Sequence, residues 1–217
     1  MAPEDRAGLW AGRTHHRPII VAATDTLVGS RIGGRAPQIV ADAPVRCPRC
    51  DGAMEYDATL AAADLDADLD VSLFHCRSFD CLLGGAALSR VRVPSPLQVA
   101  VRLAGPRADR PTANDADLEG RGLTIGGPAL DRADQGDPSQ RSKLGGEAGL
   151  LQSGEGLELA LATDGLHFLF QISELDYPHG MTIGDYRYAG GNVYVFSTFD
   201  ANVVLVGDRY AAFWQRT

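Results

Sequence analysis

The chain has no surplus of positive charge. Its 20 Lys and Arg are outnumbered by 28 Asp and Glu, leaving a net charge of −8. That argues against a duplex nucleic-acid binder, which carries a basic stripe. It is compatible with a basic protein partner, because complementary charge speeds encounter, although acidity also simply keeps a protein soluble. Long apolar runs are missing too. "PIIVAA", from Pro18, is too short to cross a bilayer, and the opening stretch, with Glu4 and Asp5, holds no apolar segment of signal-peptide length. The expectation is a cytoplasmic protein with no membrane segment, in a compartment where thiols stay reduced.

Signatures of catalysis are absent as well. There is no G-x-S-x-G, and "SRIGGRAP" has neither the phosphate-loop nor the dinucleotide-binding spacing. Its glycines, and those of "SKLGG", serve better as positive-φ or close-approach positions in a turn, with Arg31 and Lys143 read as exposed strand-end charges. His15, His16, His167 and His179 assemble no triad, and His179 with Asp185 is only a residue pair. "DLDADLD", Asp64 to Asp70, fails as a calcium loop: its sixth and twelfth positions hold Leu69 and His75 where Gly and Glu are needed. A solvated acidic edge is the plainer reading. The chain is expected not to be an enzyme.

Cysteine is scarce, and its placement is the most informative feature present. The only four are Cys47, Cys50, Cys76 and Cys81. They form a C-x2-C and a C-x4-C, separated by about a hairpin's length of chain, a spacing that suits a tetrahedral zinc site. Each pair grips the metal from one knuckle, and a reducing compartment supplies thiols for zinc to deprotonate. A redox couple, a disulfide and chance spacing are the alternatives, and His75 is a substitute ligand. Four thiolates leave no position open for water, so one structural zinc per chain is expected.

Strand patterning fills most of the remaining chain. Leu166, Phe168, Phe170 and Ile172 share one face of "LHFLFQI". "LELALAT" alternates through Leu157, Leu159 and Leu161, and "NVYVFSTF" sets Val193 and Val195 opposite Tyr194 and Phe196. "NVVLVGDRYAAFWQ" suggests two strands joined at Gly207-Asp208, the second packing Trp214. "DATLAAADL" is either a helix capped by Asp57 or a strand. Residues 104–140, rich in Gly, Pro and Asp, read as a connector between an N-terminal half, 1–103, and a C-terminal half, 141–217. Asp185, Tyr186 and Tyr188 form a candidate binding rim in a Gly-bounded stretch, with turn packing as the competing explanation.

Two segments match: "GSRIGGRAPQIV" from Gly29 and "RSKLGGEAGLLQ" from Arg141, each followed later by a similar tail, "LFHCRSFDC" and "VYVFSTFDA". Internal duplication follows, with Ala201 standing where Cys81 does and metal held by the first half alone. "SKLGG", "LLQ", "FLFQISELDYP", "MTIGDYRYAGGNVYVF" and "AAFWQ" resemble the YwqG-like bacterial family of unknown function. The first half, "SRIGGRAP…CPRCDGAM…FHCRSFDC", is similar to the programmed cell death protein 2 family. The departures are Ala36-Pro37, which shifts an expected proline, Ala148 in the same place of the second half, and acidic "MEYDATL" where an apolar run is expected. The resemblance implies a mainly antiparallel β roll of two related halves with little helix. It also implies a chaperone or adaptor for a basic client protein, or an immunity protein against a toxin. A hydrolase or small-ligand enzyme is the competing class.

Overall fold

The computed structural model describes residues 15–23, 29–34, 45–76, 78, 81, 97–103, 120–130, 141–151, 161, 165–181, 188, 190–200 and 204–215. These form eleven strands: β1 (His15–Val21), β2 (Arg31–Ile32), β3 (Met54–Leu60), β4 (Leu69–Cys76), β5 (Leu97–Leu103), β6 (Arg121–Ile125), β7 (Ala129–Leu130), β8 (Lys143–Leu144), β9 (His167–Ser173), β10 (Asn192–Phe199) and β11 (Leu205–Gln215). One helical turn, α1 (Ala62–Leu65), follows β3, and a 3-10 turn, Glu174–Asp176, follows β9. The strands form one antiparallel sheet in the order β11-β10-β9-β8-β1-β6-β2-β3-β4-β5, with β7 added beside β1. The terminal strands β11 and β5 approach each other, so the sheet nearly closes into a barrel. The fold is mainly antiparallel β with almost no helix. No helix among the described residues is long and apolar enough to cross a membrane.

Local geometry repeats between the two arms of the sheet. Arg31 and Ile32 pair with Thr59 and Ala58, just as Lys143 and Leu144 pair with Gln171 and Phe170. Gly33 N–H donates to the Asp57 carbonyl at 2.6 Å, and Gly145 N–H to that of Leu169 at 2.8 Å. The hydroxyls of Ser30 and Ser142 accept from Ala61 N–H at 2.8 Å and Ser173 N–H at 2.9 Å, the residues that lead into the two helical turns. Each member of a pair lies the same number of residues from its counterpart. All four glycines of the two Gly-Gly pairs have positive φ. A Cβ on Gly34 would also meet the Gly120 backbone at 2.9 Å, so both uses foreseen for glycine are present.

Both hairpins carry a bulge at the same point. The β3–β4 ladder shifts register between Tyr56 and Ala58, leaving Asp57 extra, and the β9–β10 ladder does so between Phe168 and Phe170, leaving Leu169 extra. One added residue reverses which side chains face inward. Phe168 therefore packs with Leu161, Leu166, Tyr194 and Phe196 on one side, while Phe170, Ile172, Val193 and Val195 join the main core on the other. The single face expected for Leu166 through Ile172 is divided by this bulge. The main core draws on both arms, from Ile32, Leu60 and Val71 to Leu144, Phe170 and Trp214.

Other expectations also change. Residues 104–140 are not merely a connector: Arg121–Ile125 pairs with β1 and β2, and Ala129–Leu130 pairs with β1, because alternating Leu123 and Ile125 can complete the sheet between the arms. β1, from the N-terminal half, pairs with β8 of the C-terminal half. Gly207-Asp208 makes no turn; β11 runs continuously, and the register against β10 shifts between Ser197 and Phe199 to absorb the extra length. "DATL" is strand, and α1 occupies a single turn without a side-chain cap. Lys143 is buried at 3% exposure rather than solvated. Of "LELALAT", only Leu161 is among the described residues, and Ala201 lies outside them.

Candidate metal centre

The segment from Val45 to Met54 is a tight hairpin whose tip carries the first cysteine pair. Met54 N–H donates to the Val45 carbonyl at 2.9 Å, Cys47 N–H to that of Gly52 at 2.9 Å, and Asp51 N–H to that of Cys47 at 2.8 Å. Asp51 has a φ of 57°, a left-handed conformation Asp tolerates better than most residues. The second pair comes from the end of β4: Cys76 is its last residue and Cys81 follows shortly after. Arg49 joins the two pairs by donating from Nη1 to the Cys81 carbonyl at 2.6 Å.

The four Sγ atoms lie within 4.8 Å of one another, and those of Cys50 and Cys76 are 3.5 Å apart. A Zn–S bond of about 2.3 Å places tetrahedral sulfurs roughly 3.8 Å apart, inside that range. A disulfide needs about 2.0 Å, and all four cysteines are free. Backbone N–H groups already point at sulfur: Ser78 N–H lies 3.4 Å from Cys76 Sγ. Gly52 N–H bonds to Cys50 and, with the Cys76 side chain, holds the Cys50 thiol below its usual range. Burial pushes Cys76 up to about 12 and raises Cys81 as well. A metal arriving here must displace protons, and the thiolates it creates are received by oriented amide dipoles.

These sulfurs sit in their own small cluster. Cys47, Cys76 and Cys81 are buried with Met54, Tyr56 and Phe74, and Tyr56 meets Phe74 edge-on at 5.7 Å. At the matching place on the other arm, Phe168 and Phe196 stand where Tyr56 and Phe74 do, and are covered by Leu161, Leu166, Leu150 and Phe213. Aromatic packing covers one hairpin; the cysteine hairpin covers the other. By this register Cys76 corresponds to Thr198, so the tails match two residues away from the Ser/Thr-Phe-Asp alignment read from sequence.

His75, the proposed substitute ligand, is committed elsewhere. Its Nδ1 lies 3.1 Å from both oxygens of Asp57, and its Nε2 lies 3.3 Å from Glu55 Oε2. Tyr188 reaches across from the other arm, donating its hydroxyl to Asp57 Oδ2 at 2.7 Å and packing its ring against Trp214. Asp57 is 4% exposed, and its carboxylate enters the core at the bulge position that Leu169 fills on the other arm. Tyr188 is 2% exposed, an interior residue and not part of a rim; Asp185 and Tyr186 lie outside the described residues. The sequence reading missed the Glu55–His75–Asp57–Tyr188 set. Its trace was two acidic residues, Glu55 and Asp57, and a histidine inside otherwise apolar strand runs.

The acidic stretch after β3 also has internal work. Asp64 accepts from Ser30 Oγ at 2.6 Å and Asp70 from Ala62 N–H at 2.8 Å, so these carboxylates organise the turn rather than forming only a solvated edge. No protein-family model matches the chain, and no curated protein matches it in sequence.

Proposed function

We propose that the chain is a non-enzymatic protein-binding module of the chaperone or adaptor kind, whose first arm is stapled by one structural zinc. The observation that carries the reading is the four-cysteine cluster. Four sulfurs complete a tetrahedral shell, so the metal would serve folding and not substrate activation. His75 supports the four-thiolate set: with a carboxylate beside each ring nitrogen, the imidazole is held between Asp57 and Glu55 and not offered to the metal. The net charge of −8 suits a basic client. The proposal includes internal duplication, supported by the repeated pairings and bulges, membership of the YwqG-like group, and a cytoplasmic setting.

The test has two arms. Elemental analysis of tag-free protein should give one zinc per chain, and a strong chelator should lower the melting temperature. Affinity capture should then retain a basic protein whose aggregation the chain suppresses. Metal-free protein with an unchanged melt would end the zinc reading. A tight complex with a toxin would favour the immunity alternative, and catalytic turnover would overturn the binding role.

A further inference from the structure

The four sulfurs are not equivalent toward solvent. Cys47, Cys76 and Cys81 are 1%, 2% and 7% exposed, whereas Cys50, on the tip of the knuckle turn, is exposed. Cys50 is therefore the one cysteine a small polar oxidant in water meets first. Its Sγ lies 3.5 Å from that of Cys76, close enough that a small movement of the turn brings the two to bonding distance. Cys76 is fixed at the end of β4 by pairing with Met54, so the mobile partner would be Cys50. An exposed thiol beside a buried resolving thiol is the arrangement of a reversible oxidation site.

We propose, on the basis of the zinc reading above, that Cys50 is a peroxide-oxidisable site and Cys76 its resolving cysteine, so that oxidation releases the metal. In the first step the Cys50 thiolate attacks one peroxide oxygen. The S–O bond forms, the O–O bond breaks, and the departing oxygen leaves as water or, from an organic hydroperoxide, as an alcohol. In the second step the Cys76 sulfur attacks the Cys50 sulfenic sulfur. The S–S bond forms and the S–O bond breaks, with hydroxide leaving as water. Two thiols lose two electrons and the peroxide gains them. Cys47 and Cys81 remain as only two of four ligands, too few for a closed tetrahedral site, and zinc departs. A dithiol reductant reverses the change by exchange at the disulfide. The first arm would then lose its staple under oxidising conditions.

The experiment uses the full-length protein with its zinc content measured beforehand. Hydrogen peroxide is added, zinc release is followed with a chromogenic chelator, and disulfides are mapped by peptide mass spectrometry. The expected result is release of the bound zinc with a Cys50–Cys76 disulfide, and renewed zinc binding after dithiothreitol. Cys50→His keeps a fourth ligand while removing the exposed sulfur, and should slow release by about tenfold or more. Zinc retained under peroxide, a disulfide between other cysteines, or an unchanged rate in C50H would overturn the proposal. Should C50H fail to hold zinc, the disulfide map of the unsubstituted chain decides. Absence of zinc at the outset would sink the metal reading alone, because the disulfide map still reports whether Cys50 and Cys76 pair.

Discussion

Tyr188→Phe removes one oxygen from the interior and little else. The ring keeps its place against Trp214 at 5.8 Å and His75 at 6.2 Å, so no cavity forms. What is lost is a 2.7 Å hydrogen bond to the Asp57 carboxylate, which has left water at 4% exposure. Hydrogen bonds to charged groups contribute about 1.5–3 kcal/mol, because one partner's charge is otherwise poorly solvated. For a chain of this size that becomes a fall of roughly 3–12 °C in melting temperature. The assay is urea unfolding of the zinc-loaded protein at neutral pH, paired with calorimetry. Asp57→Leu places the side chain of its counterpart, Leu169, at the same bulge. It strands His75 Nδ1 and the Tyr188 hydroxyl and should cost more, about 3–5 kcal/mol. Part of that loss should vanish in the Y188F background, since only one of the two donors then remains; a cycle of these substitutions should show coupling of about 1 kcal/mol. A Y188F protein within about 0.5 kcal/mol of the parent, with no coupling to Asp57, would refute the view that this network joins the arms.

Gly34→Ala forces a side chain into φ +68° and brings its Cβ to 2.9 Å from the Gly120 backbone; stability should fall by about 1–3 kcal/mol in urea, and an unchanged midpoint would show that the turn relaxes freely. Gly52→Ala puts a Cβ 3.3 Å from Cys50 Sγ, a sulfur that metal would hold in place, so zinc affinity measured by chelator competition should drop while the metal-free melt stays nearly constant. Ser142→Ala removes the acceptor for Ser173 N–H and should cost about 1 kcal/mol, visible as faster amide exchange at Ser173. The pH dependence follows from Cys76, raised from 9.0 to about 12 by burial. A raised folded-state value means that its contribution to metal-free stability is complete below pH 9 and is lost as pH climbs toward 12, which unfolding at stepped pH will show. Zinc binding runs the other way: because thiol protons must leave, apparent affinity should rise by at least about tenfold per pH unit near neutrality.

Sequence was sufficient where the information is local or carried by an unusual residue type. Cysteine spacing brought four scarce thiols into one reading, because two closely spaced pairs suit one tetrahedral site, and the four sulfurs do converge. Period-two alternation marked β9 and β10, and Gly33-Gly34 and Gly145-Gly146 announced the positive-φ turns that follow β2 and β8. Only tertiary structure could decide which faces those strands present. A single bulge residue at Asp57 or Leu169 reverses the alternation, and nothing in "MEYDATL" or "HFLFQIS" marks where the ladder slips. Likewise, Arg121–Ile125 becomes a strand because β1 and β2 lie on either side to pair with it, a condition met only after distant segments have folded together. Tyr188 and Asp57 are far apart in sequence and carry no mutual signature. Their hydrogen bond exists because the two arms share one core, where a buried carboxylate must find donors wherever the fold places them.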